Sequence, residues 1–111
     1  MVFKKGDIVS VSKSNKGESG IMLAVIIQAD WFNIGNPPSY VISLISSRVY
    51  PELDFRPIIK PDAKNGLSML SQVVVDKIRT IRSGQILNKT GQIDKQNLKD
   101  INGCLKAILG L

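Results

Sequence analysis

The sequence predicts a mainly β fold: a small, curled antiparallel sheet or barrel closed on one side by a C-terminal helix. Short apolar runs rich in β-branched residues, bounded by Gly, Asn and Pro, recur from Asp7 to Thr80, the pattern of buried strands. The end of the chain instead repeats apolar residues at helical spacing. A length of 111 residues suits a single domain spanning 1–111, with one core.

Gly6 to Ser12 reads as the first strand, with Val9 and Val11 on one face and Ser10 and Ser12 on the other. Lys13 to Gly20 is a polar, Gly- and Ser-rich connection without the glycine-lysine-serine pattern of a phosphate loop. Ile21 to Ile27 and Tyr40 to Ser47 form the central antiparallel pair, joined through Asp30 to Pro38 by a connection too long for a tight hairpin. Gln28 and Asp30 leave the first of these strands, while Ser46, Ser47 and Arg48 leave the second. An antiparallel pair sets those two groups at opposite ends.

Phe55 to Ile59 is a short strand that Pro57 pushes to an edge. Asn65-Gly66 suits a turn with positive backbone torsions. Gln72 to Thr80 is a further strand whose second half alternates polar and apolar, and a brief strand near Lys89 to Ile93 follows a turn or short helix. Asp94 is a good helix N-cap. Leu98, Ile101, Leu105 and Ile108, with Leu109 beside them, then make one apolar stripe that ends at Gly110, and Cys104 sits next to it as a small core residue.

Composition removes several classes of function. No histidine and one cysteine leave no imidazole acid–base scheme, no nitrogen–sulfur zinc site and no internal disulfide, so neither a metal nor another cofactor is expected. Glu52 and Asp54, two apart without a third ligand, read as solvated loop charges. No run is long enough to span a membrane and no signal segment opens the chain, so no membrane association and a cytoplasmic location are expected. A net charge of +6 makes a polyanion the first partner class to consider, beside an acidic protein partner.

Gly6-Asp7-Ile8-Val9, the Gly-rich loop ending at Gly20, Ala24 to Asp30, Ile45-Ser46-Ser47, Asn65-Gly66-Leu67, Val74 to Thr80 and Leu105 to Leu111 follow one another in an order that resembles the MazF/PemK toxins of type II toxin–antitoxin systems. The resemblance covers nearly the whole chain. It implies a CcdB/MazF-like, SH3-like small barrel with a C-terminal helix, a homodimer, and metal-independent endoribonuclease activity on single-stranded RNA such as mRNA. It also implies growth inhibition that a cognate antitoxin, acidic in its binding segment, neutralises.

Carried over residue by residue, the resemblance places Ser46 where the family has a catalytic threonine, and it retains Asp76, Arg79 and Thr80. The family's Arg-Pro at the start of the second strand is Met22-Leu23 here. Cleavage by a ribose 2′-hydroxyl needs stabilisation of a phosphorane-like charge, which a thioether cannot supply. Arg48, Arg79 or Lys16 could substitute by reaching the phosphate.

The expected catalytic set is therefore Ser46, Asp76 and Arg79, with Lys13, Lys16, Arg48 and Trp31 contacting RNA. Each has a plainer structural alternative: Ser46 ends a strand, Asp76 and Arg79 form a structural ion pair or hydrogen-bond to the sheet, the lysines are solvated, and Trp31 anchors a core or interface. A second expectation, of a different class, is a toxin-fold protein that acts by protein binding. It would be a CcdB-like gyrase inhibitor, whose apolar-Gly-apolar tail Leu109-Gly110-Leu111 resembles incompletely, or a degenerate member that only binds an antitoxin.

Overall fold

The computed structural model describes residues 2–13 and 20–111. Lys16 and most of the Gly- and Ser-rich connection lie outside the described residues. The strands are β1 (Asp7–Ser12), β2 (Ile21–Ile26), β3 (Ser39–Ser46), β4 (Ile58–Ile59), β5 (Ser71–Arg82) and β6 (Ile86–Gln92). A short helix α1 (Asp30–Asn33) follows β2, a 3-10 turn spans Ser83–Gln85, and the long helix α2 (Lys95–Leu109) ends the chain.

The strands form one six-stranded sheet in the order β4-β5-β3-β2-β1-β6, every neighbouring pair antiparallel. With β4 and β6 at its edges, the sheet is an open half-barrel. Register shifts between β1 and β6 sharpen the curl, because extra residues on one strand increase local twist.

The central strands read as unbroken apolar runs because both of their faces are covered. On one face Ile8, Val25, Val73 and Val75 pack beneath Ile101 and Leu105 of α2. On the other, Val9, Val11, Ala24, Ile26 and Ile42 gather round Tyr40, whose ring meets that of Phe3 edge-on at 5.5 Å. Helix α2 begins where its cap predicts: the Asp94 carboxylate accepts from the Asn97 N–H at 2.7 Å. It ends at Gly110, whose φ of 71° is left-handed. Of the predicted stripe, Ile101 and Leu105 are buried, while Ile108 and Leu109 remain 39% and 53% exposed and leave the helix end apolar.

Other expectations are met with changed limits. The strand placed near Lys89 to Ile93 begins earlier, at Ile86, since β1 pairs with it as far as Val11–Ile86. The strand placed from Phe55 is reduced to Ile58–Ile59, an edge strand beginning just after Pro57. Asn65-Gly66 does form a turn: the side-chain Oδ1 of buried Asn65 accepts from the N–H of Asp62 and Leu67, and Gly66 has φ 68°. A Cβ at Gly66 would also collide with the Thr90 carbonyl oxygen. The connection read as a loop after β2 holds α1, tied down by Asn33, whose amide donates to the Gln28 carbonyl oxygen at 2.9 Å.

Candidate active site

The candidate site lies where β2 begins and β3 ends. Leu23 pairs with Ile45, and one residue beyond that pair stand Met22 and Ser46. These ends floor an open cleft of about 780 Å³. Among the described residues, five basic side chains line it: Lys13, Arg48, Arg56, Lys77 and Arg79. A positive cleft of this shape attracts an extended polyanion.

Ser46, Arg79, Arg48 and Lys13 thus line one cleft. The Ser46 hydroxyl oxygen accepts from the Arg48 backbone N–H at 3.0 Å, which leaves its own O–H to donate outward. Arg79 stands opposite Ile42 on the alternating half of β5, where its side chain is exposed.

Asp76, expected in the catalytic set, does not itself line the cleft; it lies in a break in register between the lining residues Val74 and Lys77. Ser43 pairs with Ile78 but the next residue, Leu44, pairs with Val74, so Val75, Asp76 and Lys77 face no partner across β3. The buried Ser43 hydroxyl secures this irregularity by donating to the Val74 carbonyl oxygen at 2.8 Å. Asp76, still within β5, is exposed there. Its partner corrects the ion pair considered with Arg79: Asp76 is gripped by Arg56, Nε to Oδ1 and Nη2 to Oδ2, both at 2.7 Å. This fork-to-carboxylate geometry holds the carboxyl below the usual carboxylate range, chiefly through the guanidinium hydrogen bonds, with the charges of Arg56 and Lys77 adding to the effect.

Sequence reasoning missed three residues here. Arg56 is one. Gln72, 1% exposed and opposite both Ser46 and Ile58, is the second. Its side chain donates to the carbonyl oxygens of Tyr50 and Arg56 and accepts from the Tyr50 N–H, stapling the connection that carries Arg56. Tyr50 is the third, an aromatic side chain 39% exposed on the cleft wall. No local motif marks any of them; a basic residue beside an aromatic in a Pro-bounded connection was the sole hint.

Trp31 does not line this cleft. It lies on α1 at the opposite end of the β2–β3 pair, 77% exposed, edge-on to Phe32 at 5.2 Å. A second groove, of about 770 Å³, runs between the sheet and the end of α2, with Ile27, Val41, Ile78, Leu105 and Leu109 as its apolar lining and Lys5 and Lys106 beside them. No helix is long and apolar enough to cross a membrane among the described residues.

A family model described as PemK-like, MazF-like toxin of type II toxin–antitoxin system matches residues 4–109. No curated protein sequence gives a significant match. Among solved structures, a MazE–MazF complex from Deinococcus radiodurans superposes with TM-score 0.81 at 18% identity, over 100% of this chain and 99% of that one. An endoribonuclease in complex with its cognate antitoxin, from a mycobacterial species, gives TM-score 0.77 at 17% identity, over 99% and 95% of the two chains. The Mycobacterium tuberculosis toxin MazF-mt6 gives 0.77 at 14% identity, over 96% and 98%. At such identities the likeness establishes a shared fold.

Proposed function

The chain belongs to the PemK-like, MazF-like toxins of type II toxin–antitoxin systems, and on that premise we propose that it is a metal-independent endoribonuclease acting on single-stranded RNA. One observation carries the reading: the hydroxyl of Ser46 and five basic side chains converge on one open cleft. The reading takes the whole chain as one toxin domain, working in the cytoplasm.

In the proposed reaction a ribose 2′-oxygen attacks the adjacent phosphorus. The 2′-hydroxyl proton passes to water in the open cleft as the new O2′–P bond forms. The P–O5′ bond breaks, and the departing 5′-oxygen takes a proton from water. The products are a 2′,3′-cyclic phosphate and a 5′-hydroxyl. Ser46 donates its hydroxyl proton in a hydrogen bond to a non-bridging phosphate oxygen, since its oxygen is already occupied by the Arg48 N–H. Arg79 and Arg56 supply positive charge near the phosphate, Asp76 holding the Arg56 guanidinium in place, and Lys13 and Arg48 hold flanking phosphates. Lys16, in the same connection as Lys13, serves a flanking phosphate as well. Exposed Trp31 stacks on a base of a strand long enough to leave the cleft.

The growth-inhibiting toxin would be neutralised by a cognate antitoxin. The apolar groove beside α2, with Lys5 and Lys106 on its lining, suits an amphipathic segment carrying acidic residues. A homodimer is proposed on family membership, and light scattering of the purified protein tests it.

The deciding experiment incubates purified protein with a long single-stranded RNA in the presence of EDTA. Discrete fragments ending in cyclic phosphate are expected, with Ser46→Ala slowed on the order of 100- to 1,000-fold, the typical cost of losing one preorganised donor. No cleavage by the wild type, or equal cleavage by Ser46→Ala, would sink the reading.

A further inference from the structure

Of the five basic side chains that line the cleft among the described residues, four are solvent-exposed: Lys13, Arg48, Lys77 and Arg79. Charges of that kind guide a polyanion inward, but they must be ordered at the moment of reaction. Arg56 differs on each count. Its side chain is 15% exposed, and among the described residues it is the one cleft cation fixed by a forked pair of hydrogen bonds. Its guanidinium lies 5.7 Å from the centre of the Phe55 ring, and its own carbonyl oxygen is held by Gln72 at 2.9 Å. Two of the three guanidinium nitrogens face Asp76, so Nη1, and the second hydrogen on Nη2, remain to meet a ligand.

Electrostatic catalysis depends on charges whose orientation is settled before the transition state forms. We propose that Arg56 is the cation that stabilises the phosphorane-like charge in this cleft, and that Asp76 is a positioning residue that aims it. This rests on the ribonuclease reading above and deepens it. The arrangement also gives Asp76 a role other than proton acceptor. Both carboxylate oxygens are engaged by the guanidinium, and a carboxylate stabilised in that way is a weaker base.

The test compares wild type, Arg56→Ala, Arg56→Lys, Asp76→Asn and the Arg56→Ala/Asp76→Asn double variant on one RNA oligonucleotide, with and without millimolar guanidinium. Arg56→Ala should lower kcat on the order of 100- to 1,000-fold with a smaller change in KM. Added guanidinium should restore part of that rate in a dose-dependent way and leave the wild type unaffected. Arg56→Lys should remain impaired, because a lysine cannot reproduce the fork. Asp76→Asn should cost less than Arg56→Ala and add little to it, as expected for residues acting as one unit. A wild-type rate in Arg56→Ala would overturn the inference while leaving the ribonuclease reading intact. So would a slow Arg56→Ala that guanidinium does not rescue and to which Asp76→Asn adds its full effect. A wild type that cuts no RNA would overturn both.

Discussion

The Gln72 side-chain amide donates to the Arg56 carbonyl oxygen at 2.9 Å, joining the buried start of β5 to the connection that carries the cleft's most ordered cation. Gln72 also makes two hydrogen bonds to the Tyr50 backbone, so one buried side chain sets both a cationic and an aromatic wall. Replacing it with methionine, close in shape but unable to pair, leaves part-buried backbone groups of Tyr50 and Arg56 without this partner. A fully buried group left unpaired costs about 1–3 kcal/mol, and partial access to water sets the cost here below that. Urea denaturation of Gln72→Met should therefore show a lowered midpoint, and its cleavage rate should fall as Arg56 loses its support. An unchanged midpoint would mean that the connection is held by other contacts.

Met22 lines the same cleft without contributing charge. Met22→Arg should raise kcat/KM, but by less than the roughly 100- to 1,000-fold that a preorganised donor supplies, because Arg56 already serves the site. In an Arg56→Ala background the gain should be larger. Equal gains in the two backgrounds would place the new arginine and Arg56 in separate roles. The position is half-buried at the sheet margin, so the fold should accept the change.

The Arg56 guanidinium lowers the Asp76 pKa in the folded protein, which fixes the sign of the linkage. The ion pair contributes stability in full above the unfolded carboxyl value of about 3.9 and loses it as pH falls through the lower folded value. Wild type and Asp76→Asn, compared by denaturation from pH 7 downward, should differ by a constant amount until that acidic window, where the gap closes. A gap that shrinks between pH 7 and 5 would contradict the assignment.

Trp31 and the cleft occupy opposite ends of the β2–β3 pair. Trp31→Ala should weaken binding of a long single-stranded RNA by about 1–3 kcal/mol, the usual worth of one base–aromatic stack. An oligonucleotide short enough to sit in the cleft alone should bind unchanged. Fluorescence titration of non-cleavable RNAs of two lengths separates these outcomes. Equal losses for both would bring Trp31 into the cleft's own site, which requires a second copy of the chain.

The strands, the edge position of Ile58–Ile59, the Asn65-Gly66 turn and the Asp94 cap and Gly110 stop of α2 were legible along the chain because each depends on neighbouring residues. Periodicity, a proline lacking an N–H, and a carboxylate at a helix start act within a few positions. Even the separation of Trp31 from Ser46 follows from antiparallel order alone. Ser46 and Arg79 were singled out by resemblance, and Arg48 only as a basic side chain able to reach a phosphate.

What the tertiary structure decided is which charge faces which. Arg56 and Asp76 meet across two connections and a three-residue irregularity in β5, with Gln72 buried beneath them. No local pattern encodes that contact, because a forked pair requires two chain segments to be set to within fractions of an ångström by packing elsewhere. The sequence, with its family resemblance, specified a small toxin-like barrel with a hydroxyl and scattered cations; that the sheet stays open at β4 and β6 is visible only in the fold. Folding sets one of those cations, 15% exposed, against a forked carboxylate partner, since partial burial and a fixed partner orient a charge that would otherwise be free at the surface.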